Sequence, residues 1–121
     1  RLKSRDAKII DIKNHFFSRI HVEDIANILL KSLSKFKKGE IYNISDDKPS
    51  TQEEVTLYGV EILGIKRPEK IKPENINSKM LKNFYKESKK VNNKKMKIFF
   101  EYDLKFPTYV EGLNHIRNNF F

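Results

Sequence analysis

Tyr85 and Lys89 stand four residues apart, the spacing that puts a phenol and an ammonium on one face of a helix, where the pair could move a proton. Arg19 offers a planar fork suited to a phosphate or carboxylate. His21 stands just ahead of a predicted helix, where its ring could touch a substrate or bond to the backbone. Ser45 and Asp46 close a predicted strand, at the edge where open α/β folds place ligands. Lys89, Lys90 and Asn92 share a polar turn that could meet an anion. Asp24 reads as a helix-start residue. His15 and His115 lack ligand spacing, and without cysteine neither a disulfide nor a thiolate metal site can form. No catalytic, cofactor-binding or metal-ligating residue is assigned within the chain.

These side chains need elements to hold them. Residues 8–12 and 16–20 have strand-like content, with a turn at Asn14-His15 between them. Val22 to Phe36 has helical spacing, with Val22, Ile25, Leu29, Leu33 and Phe36 on its apolar face and Gly39 as its stop. Glu40 to Ser45 reads as a strand. Ser50 with Glu53 forms a capping box for a helix that Gly64 ends. Residues 67–73 read as irregular. A short helix over 78–87 turns Leu81, Phe84 and Tyr85 inward, and another begins near Asn93 with Met96, Phe99 and Phe100. The last starts at Thr108, with Glu111 completing its box. About three strands and five helices make an α/β fold, yet three strands are a poor independent sheet. The strand at 40–45 asks for neighbours that these residues do not supply, so self-association through an exposed sheet edge is expected.

The chain has 121 residues, 38% hydrophobic and 34% charged, which allows one domain and a modest core. No apolar run reaches the roughly 20 residues of a membrane helix, and no signal peptide is visible, so a cytoplasmic protein is expected. Charge is concentrated: Lys79 to Lys97 holds eight Lys against one Glu, +7 of the net +9. With Phe84 and Tyr85 interleaved, that stripe gives a second reading as a small basic nucleic-acid-binding module. Against it, the chain shows no standard nucleic-acid-binding motif, and both aromatics fall on the predicted apolar face.

Four segments carry a resemblance. Arg19-Ile20-His21-Val22-Glu23-Asp24-Ile25-Ala26 looks like the "R-I-H-V-x-D-I-A" stretch of extended short-chain dehydrogenase/reductases, the NAD(P)-dependent epimerase/dehydratase family. Gly39 to Pro49 is similar to its "G-E-x-Y-N-V-x-D-D-x-P" strand and loop. Residues 87–93 resemble its "K-R-V-S-N" turn, and Phe106-Pro107-Thr108-Tyr109-Val110-Glu111-Gly112-Leu113 its closing "Y-P-T-Y-x-E-G-L". The order matches across nearly the whole chain.

The resemblance implies that residues 1–121 are the C-terminal, substrate-binding portion of a Rossmann-like fold. NAD or NADP would be bound by an N-terminal dinucleotide-binding domain outside this chain. The partner ligand would be a small molecule such as a sugar or sugar nucleotide. Glycines 39, 59, 64 and 112 cannot form the glycine-rich cofactor turn. The family's catalytic Tyr-x-x-x-Lys lies upstream of the R-I-H-V segment, so Tyr85 and Lys89 do not correspond to it, and the chain is not expected to be catalytic alone. Two departures stand out. Phe17 occupies the position three residues before Ile-His-Val where nucleotide-sugar epimerases commonly carry a diphosphate-binding Arg. Phe100-Glu101-Tyr102 replaces the family's "L-G-W".

Overall fold

Helix α1 spans Val22–Ser32 and starts where the sequence predicts. His21 stays extended and its ring Nδ1 accepts from the Glu23 amide at 3.2 Å, while Glu23 and Asp24 face the positive end of the helix dipole. The helix stops short of the predicted Phe36. Ser32 and Ser34 turn their hydroxyls back to the Leu29 and Lys31 carbonyls at 2.6 and 3.2 Å, offering the backbone an alternative to further helix. Gly39 therefore ends nothing; it takes φ +78° in a later turn.

The computed structural model, which describes residues 1–121, contains five α-helices, one 3-10 turn and four strands of two residues each. Strand β1 (Ile9–Ile10) runs parallel to β4 (Lys70–Ile71), pairing Ile9 with Lys70. Strand β2 (Phe16–Phe17) runs antiparallel to β3 (Ser50–Thr51), pairing Phe17 with Ser50. Asn14 turns the chain between β1 and β2 with φ +53°. Two expectations fail here. Residues 67–73 contain β4, because the Asp11 and Ile9 amides donate to Ile71 and Glu69 at 2.8 and 2.9 Å. Residues 40–45 pair with no strand at all. Their sequence is strand-like, but no edge of this chain lies beside them, and Ile41 is left 81% exposed.

Helix α2 (Gln52–Leu63) is capped one residue later than predicted, by Thr51 with Glu54. Ser50 is unavailable: it sits in the β2–β3 ladder and donates its hydroxyl to the Lys48 carbonyl at 2.9 Å. Gly64 ends the helix in the left-handed region, as expected. The Gln52 amide side chain clamps β1, accepting from Ile10 N at 3.1 Å and donating to Lys8 O at 2.7 Å. Helix α5 (Tyr109–Phe120) has the predicted Thr108–Glu111 capping box and packs on α2, where Asn114 donates to the Tyr58 hydroxyl at 2.6 Å.

The core is small. Ile28 of α1 meets Met96 and Phe100 of α4 (Lys94–Phe100), with Ile20, Tyr42, Phe99, Tyr102 and Leu104 around them. The buried residues of α1 are Asp24 and Ile28, not the predicted stripe; Val22, Leu29, Leu30 and Leu33 are 54–80% exposed. Helix α3 (Lys79–Phe84) also departs from expectation. It spans only six residues, and Leu81 and Phe84 are 42% and 53% exposed, Phe84 being met on one side by the stacked ring of Phe17 in β2. No helix is long and apolar enough to cross a membrane.

Glu101 ends α4 with φ +47°, the left-handed conformation that the family's glycine would adopt freely. A non-glycine residue there costs about 1 kcal/mol or more. Its exposed ion pair with Lys35, at 3.7 Å, returns little. Glu101→Gly is therefore expected to raise the unfolding free energy by about 1 kcal/mol. Urea denaturation checks this, and an unchanged or lower midpoint would refute it.

Candidate functional site

The unpaired segment 40–45 ends at Ser45 and Asp46, which are 2% and 4% exposed. The loop from Ser88 to Asn93 is strapped over β2: Ser88 Oγ accepts from Phe16 N at 2.8 Å, Lys89 N donates to Phe16 O at 3.1 Å, and Val91 N donates to Ser18 Oγ at 2.8 Å. Between these pieces lies a cleft of about 380 Å³ lined by Asp46, Asp47, Lys90, Val91, Asn92 and Asn93. Asn93 fastens its two sides, donating to Ser45 O at 2.9 Å and to Asp47 Oδ1 at 2.8 Å. Asn92 Oδ1 accepts from Lys94 N at 2.8 Å, which fixes its side chain at the start of α4. The Lys90 ammonium lies 4.0 Å from the centre of the Phe16 ring.

Two adjacent carboxylates in this cleft are pushed apart. Burial raises the Asp46 carboxyl above the usual carboxylate range, opposed by the Lys48 amide, which donates at 3.0 Å, and by the charge of Arg19. Burial would raise Asp47 too, but hydrogen bonds from Asn93 and from Lys97 at 2.6 Å outweigh it and bring Asp47 below that range.

The raised Asp46 value has a fixed sign in stability. Its contribution is complete below the unfolded carboxyl pKa of about 3.9 and is lost as pH rises through the higher folded value. Asp46→Asn keeps the acceptor for Lys48 N. It is expected to be at least as stable as the native chain at pH 7, with the advantage shrinking toward pH 4. Thermal unfolding across that range checks it; a pH-independent difference would refute the role of burial.

Arg19 lies behind the cleft. Its guanidinium donates to the Ser50 carbonyl at 2.9 Å and packs 5.0 Å from the Phe17 ring centre, and its backbone carbonyl accepts from Asp46 N. Burial lowers its pKa, opposed chiefly by Asp46. The structure thus brings Arg19, Ser45, Asp46, Lys90 and Asn92 together. Ser45 Oγ is buried without a hydrogen-bond partner.

Lys89 turns away, pairing with Glu87 at 2.6 Å beside a separate hollow under Phe17 and Phe84. His21 also sits apart. It caps α1, its ring centre is 3.9 Å from that of Phe106, and Gly112 leaves room for it: a Cβ there would come within 3.2 Å of the imidazole.

Tyr85 and Lys89 do not share a helix face, because α3 ends at Phe84 and Lys89 follows in the strapped loop. Tyr85 instead packs on Phe17 and on His15, whose buried ring nitrogens have no partner. Burial raises the Tyr85 phenol, with Arg19 opposing. Asp47 and Asn93 are the polar cleft residues that sequence reasoning passed over, along with the apolar Val91. Their signal was position, each adjoining a chosen residue in Asp46-Asp47 and Asn92-Asn93.

No family model matches the chain, and no curated protein matches it significantly. Among solved structures it is similar to a functionally unknown conserved protein from Silicibacter pomeroyi DSS. That likeness has 33% identity and a TM-score of 0.87, and it covers 94% of this chain and 41% of that one. It is also similar to human epimerase family protein SDR39U1 (isoform 2), solved with NADPH: 20% identity, TM-score 0.74, 93% of this chain and 39% of that one. A third likeness is to dTDP-glucose 4,6-dehydratase from Bacillus anthracis str. Ames, solved in complex with NAD: 20% identity, TM-score 0.68, 98% of this chain and 36% of that one. The chain has an NAD(P)-dependent epimerase/dehydratase-like α/β fold, and it spans about two fifths of the length of these three proteins.

Proposed function

We propose that this chain is the C-terminal, substrate-binding portion of an NAD(P)-dependent nucleoside-diphosphate-sugar epimerase, dehydratase or reductase-like protein. It would act together with a dinucleotide-binding unit that supplies the cofactor and the proton chemistry. One observation carries the reading most of the way. The cleft of Asp46, Lys90 and Asn92 opens at the end of a strand-like segment, 40–45, that has no sheet to join. Ligands in open α/β folds sit at such strand ends, and a sheet supplied by the dinucleotide-binding unit would complete both the ladder and the cleft. Amides, a cation and two carboxylates suit a small molecule rich in hydroxyl groups, such as a sugar.

The lysine stripe supports the nucleic-acid reading less well. Lys89, Lys95 and Lys97 are tied to Glu87, Glu40 and Asp47, and the stripe is divided among α3, a loop and α4.

The test uses the product of the complete reading frame. It is expected to enhance NADPH fluorescence on binding. Asp46→Asn combined with Lys90→Gln is expected to raise KM at least about tenfold for any nucleoside-diphosphate sugar that it turns over, the loss of one charged contact and one hydrogen bond, without changing NADPH affinity. Failure to bind either NADH or NADPH would overturn the reading.

A further inference from the structure

A second, larger hollow of about 920 Å³ lies between the N-terminal turn and the segment joining α2 to β4, and it shares no residue with the polar cleft. Its walls are fixed at several points. The β1–β4 ladder and the Lys8–Glu69 pair, at 2.7 Å, close one end. Leu2 seats on the bare backbone of Gly59, where a Cβ would stand 2.6 Å from its Cδ1. The turn itself is held by Arg5 N donating to Leu2 O at 3.2 Å and Asp6 N to Arg1 O at 3.1 Å. Gly64, at φ +61°, swings residues 65–68 out to form the facing wall.

The lining is unbalanced in charge. Lys3, Arg5, Lys8, Lys66 and Arg67 face a single acid, Glu69. Lys8 is matched by Glu69, and Arg67 by Glu53 at 2.9 Å. Lys3, Arg5 and Lys66 have no carboxylate within 4.0 Å. The Lys3 ammonium lies over the Phe121 ring, 4.3 Å from its centre, so the unpaired cations left to the concavity are Lys66 and Arg5, the latter held at φ +61° at some backbone cost. A concave surface with an excess of cations on its lining concentrates anions, and its volume falls in the range of roughly 300–1,000 Å³ typical of small-molecule sites. Only three of its eleven lining residues are hydrophobic, which argues against an apolar occupant.

We propose that this groove binds a phosphorylated small molecule, with Arg5 and Lys66 contacting its phosphate oxygens. The proposal does not depend on the function assigned to the polar cleft.

Tripolyphosphate is the probe, titrated calorimetrically into the chain at low ionic strength. Arg5→Asn removes the charge with a residue that tolerates the left-handed region, and Lys66→Gln removes a second. The double variant is expected to bind tripolyphosphate at least about tenfold more weakly. Lys90→Gln, in the polar cleft, is expected to leave binding unchanged, and added salt to weaken it in the native chain. The single Arg5→Asn variant gives the same reading if the double variant does not fold. Absence of binding, or equal affinity in native and Arg5→Asn chains, would overturn the proposal. A short single-stranded oligonucleotide that displaces tripolyphosphate and binds far more tightly would overturn the small-molecule assignment in favour of nucleic acid.

Discussion

Asp24→Ala is expected to destabilise the chain by about 3–5 kcal/mol, the range for stripping a buried charge network of its centre. Asp24 is fully buried, and its two oxygens gather the far end of the fold onto α1. Oδ1 accepts from the Tyr102 hydroxyl at 2.6 Å and from Lys105 N at 2.8 Å, and Oδ2 accepts from Phe106 N at 3.0 Å. Removing the carboxylate strands two amides and a phenol, each costing about 1–3 kcal/mol where water cannot reach. Asp24→Asn keeps the shape but presents an NH2 to one of those donors, so about half the loss is expected. Tyr102→Phe removes one donor and is expected to cost about 1 kcal/mol, leaving the two amides satisfied. Urea unfolding followed by circular dichroism ranks the three. An Asp24→Ala chain within 1 kcal/mol of native would show that the loop from Tyr102 to Phe106 is held by something else.

Local chemistry was legible in the sequence wherever it was self-contained. The Thr108–Glu111 box and the Gly64 stop depend on a few neighbouring residues, and both stand where the residue types place them. The α2 cap slipped by one, because Ser50 and Thr51 are equally good caps and only the distant partner Phe17 claims Ser50 for a ladder. Strand β4 was hidden for the same reason: Lys70-Ile71 has no pattern of its own and becomes a strand through β1. In and behind the cleft, Arg19, Ser45, Asp46, Lys90 and Asn92 were recognisable as polar residues at element ends. Their convergence was not, since it depends on the Ser88–Val91 strap bonding to Phe16 and Ser18 across more than 70 positions of sequence. Asp24 looked like a helix-start acid. Its three partners lie some 80 residues downstream, beyond any local pattern.

The face of α1 was misread for a different reason, and it carries the second large expected effect. Periodicity reports which side of a helix is apolar, not which side this chain covers. Ile28, 1% exposed, packs on Met96 and Phe100, so Ile28→Ala is expected to cost about 2–4 kcal/mol. Leu30 and Leu33 are 67% and 80% exposed, and Leu30→Glu with Leu33→Glu is expected to change unfolding of the chain by no more than about 0.5 kcal/mol per site. Association should behave in the opposite way. Val22, Leu29, Leu30, Leu33 and Phe36, with Ile41 on the unpaired segment, are 54–81% exposed, and clustered apolar side chains left in water favour association. Sedimentation of the native chain is expected to depend on concentration, and the double glutamate variant to remain monomeric. In the product of the complete reading frame, where the proposed dinucleotide-binding unit would cover this stripe, the same two substitutions should become costly, by about 2–3 kcal/mol for each buried leucine position. Equal tolerance in both proteins would mean that the stripe faces water in the whole molecule, and that the sheet missing beside residues 40–45 is supplied from elsewhere.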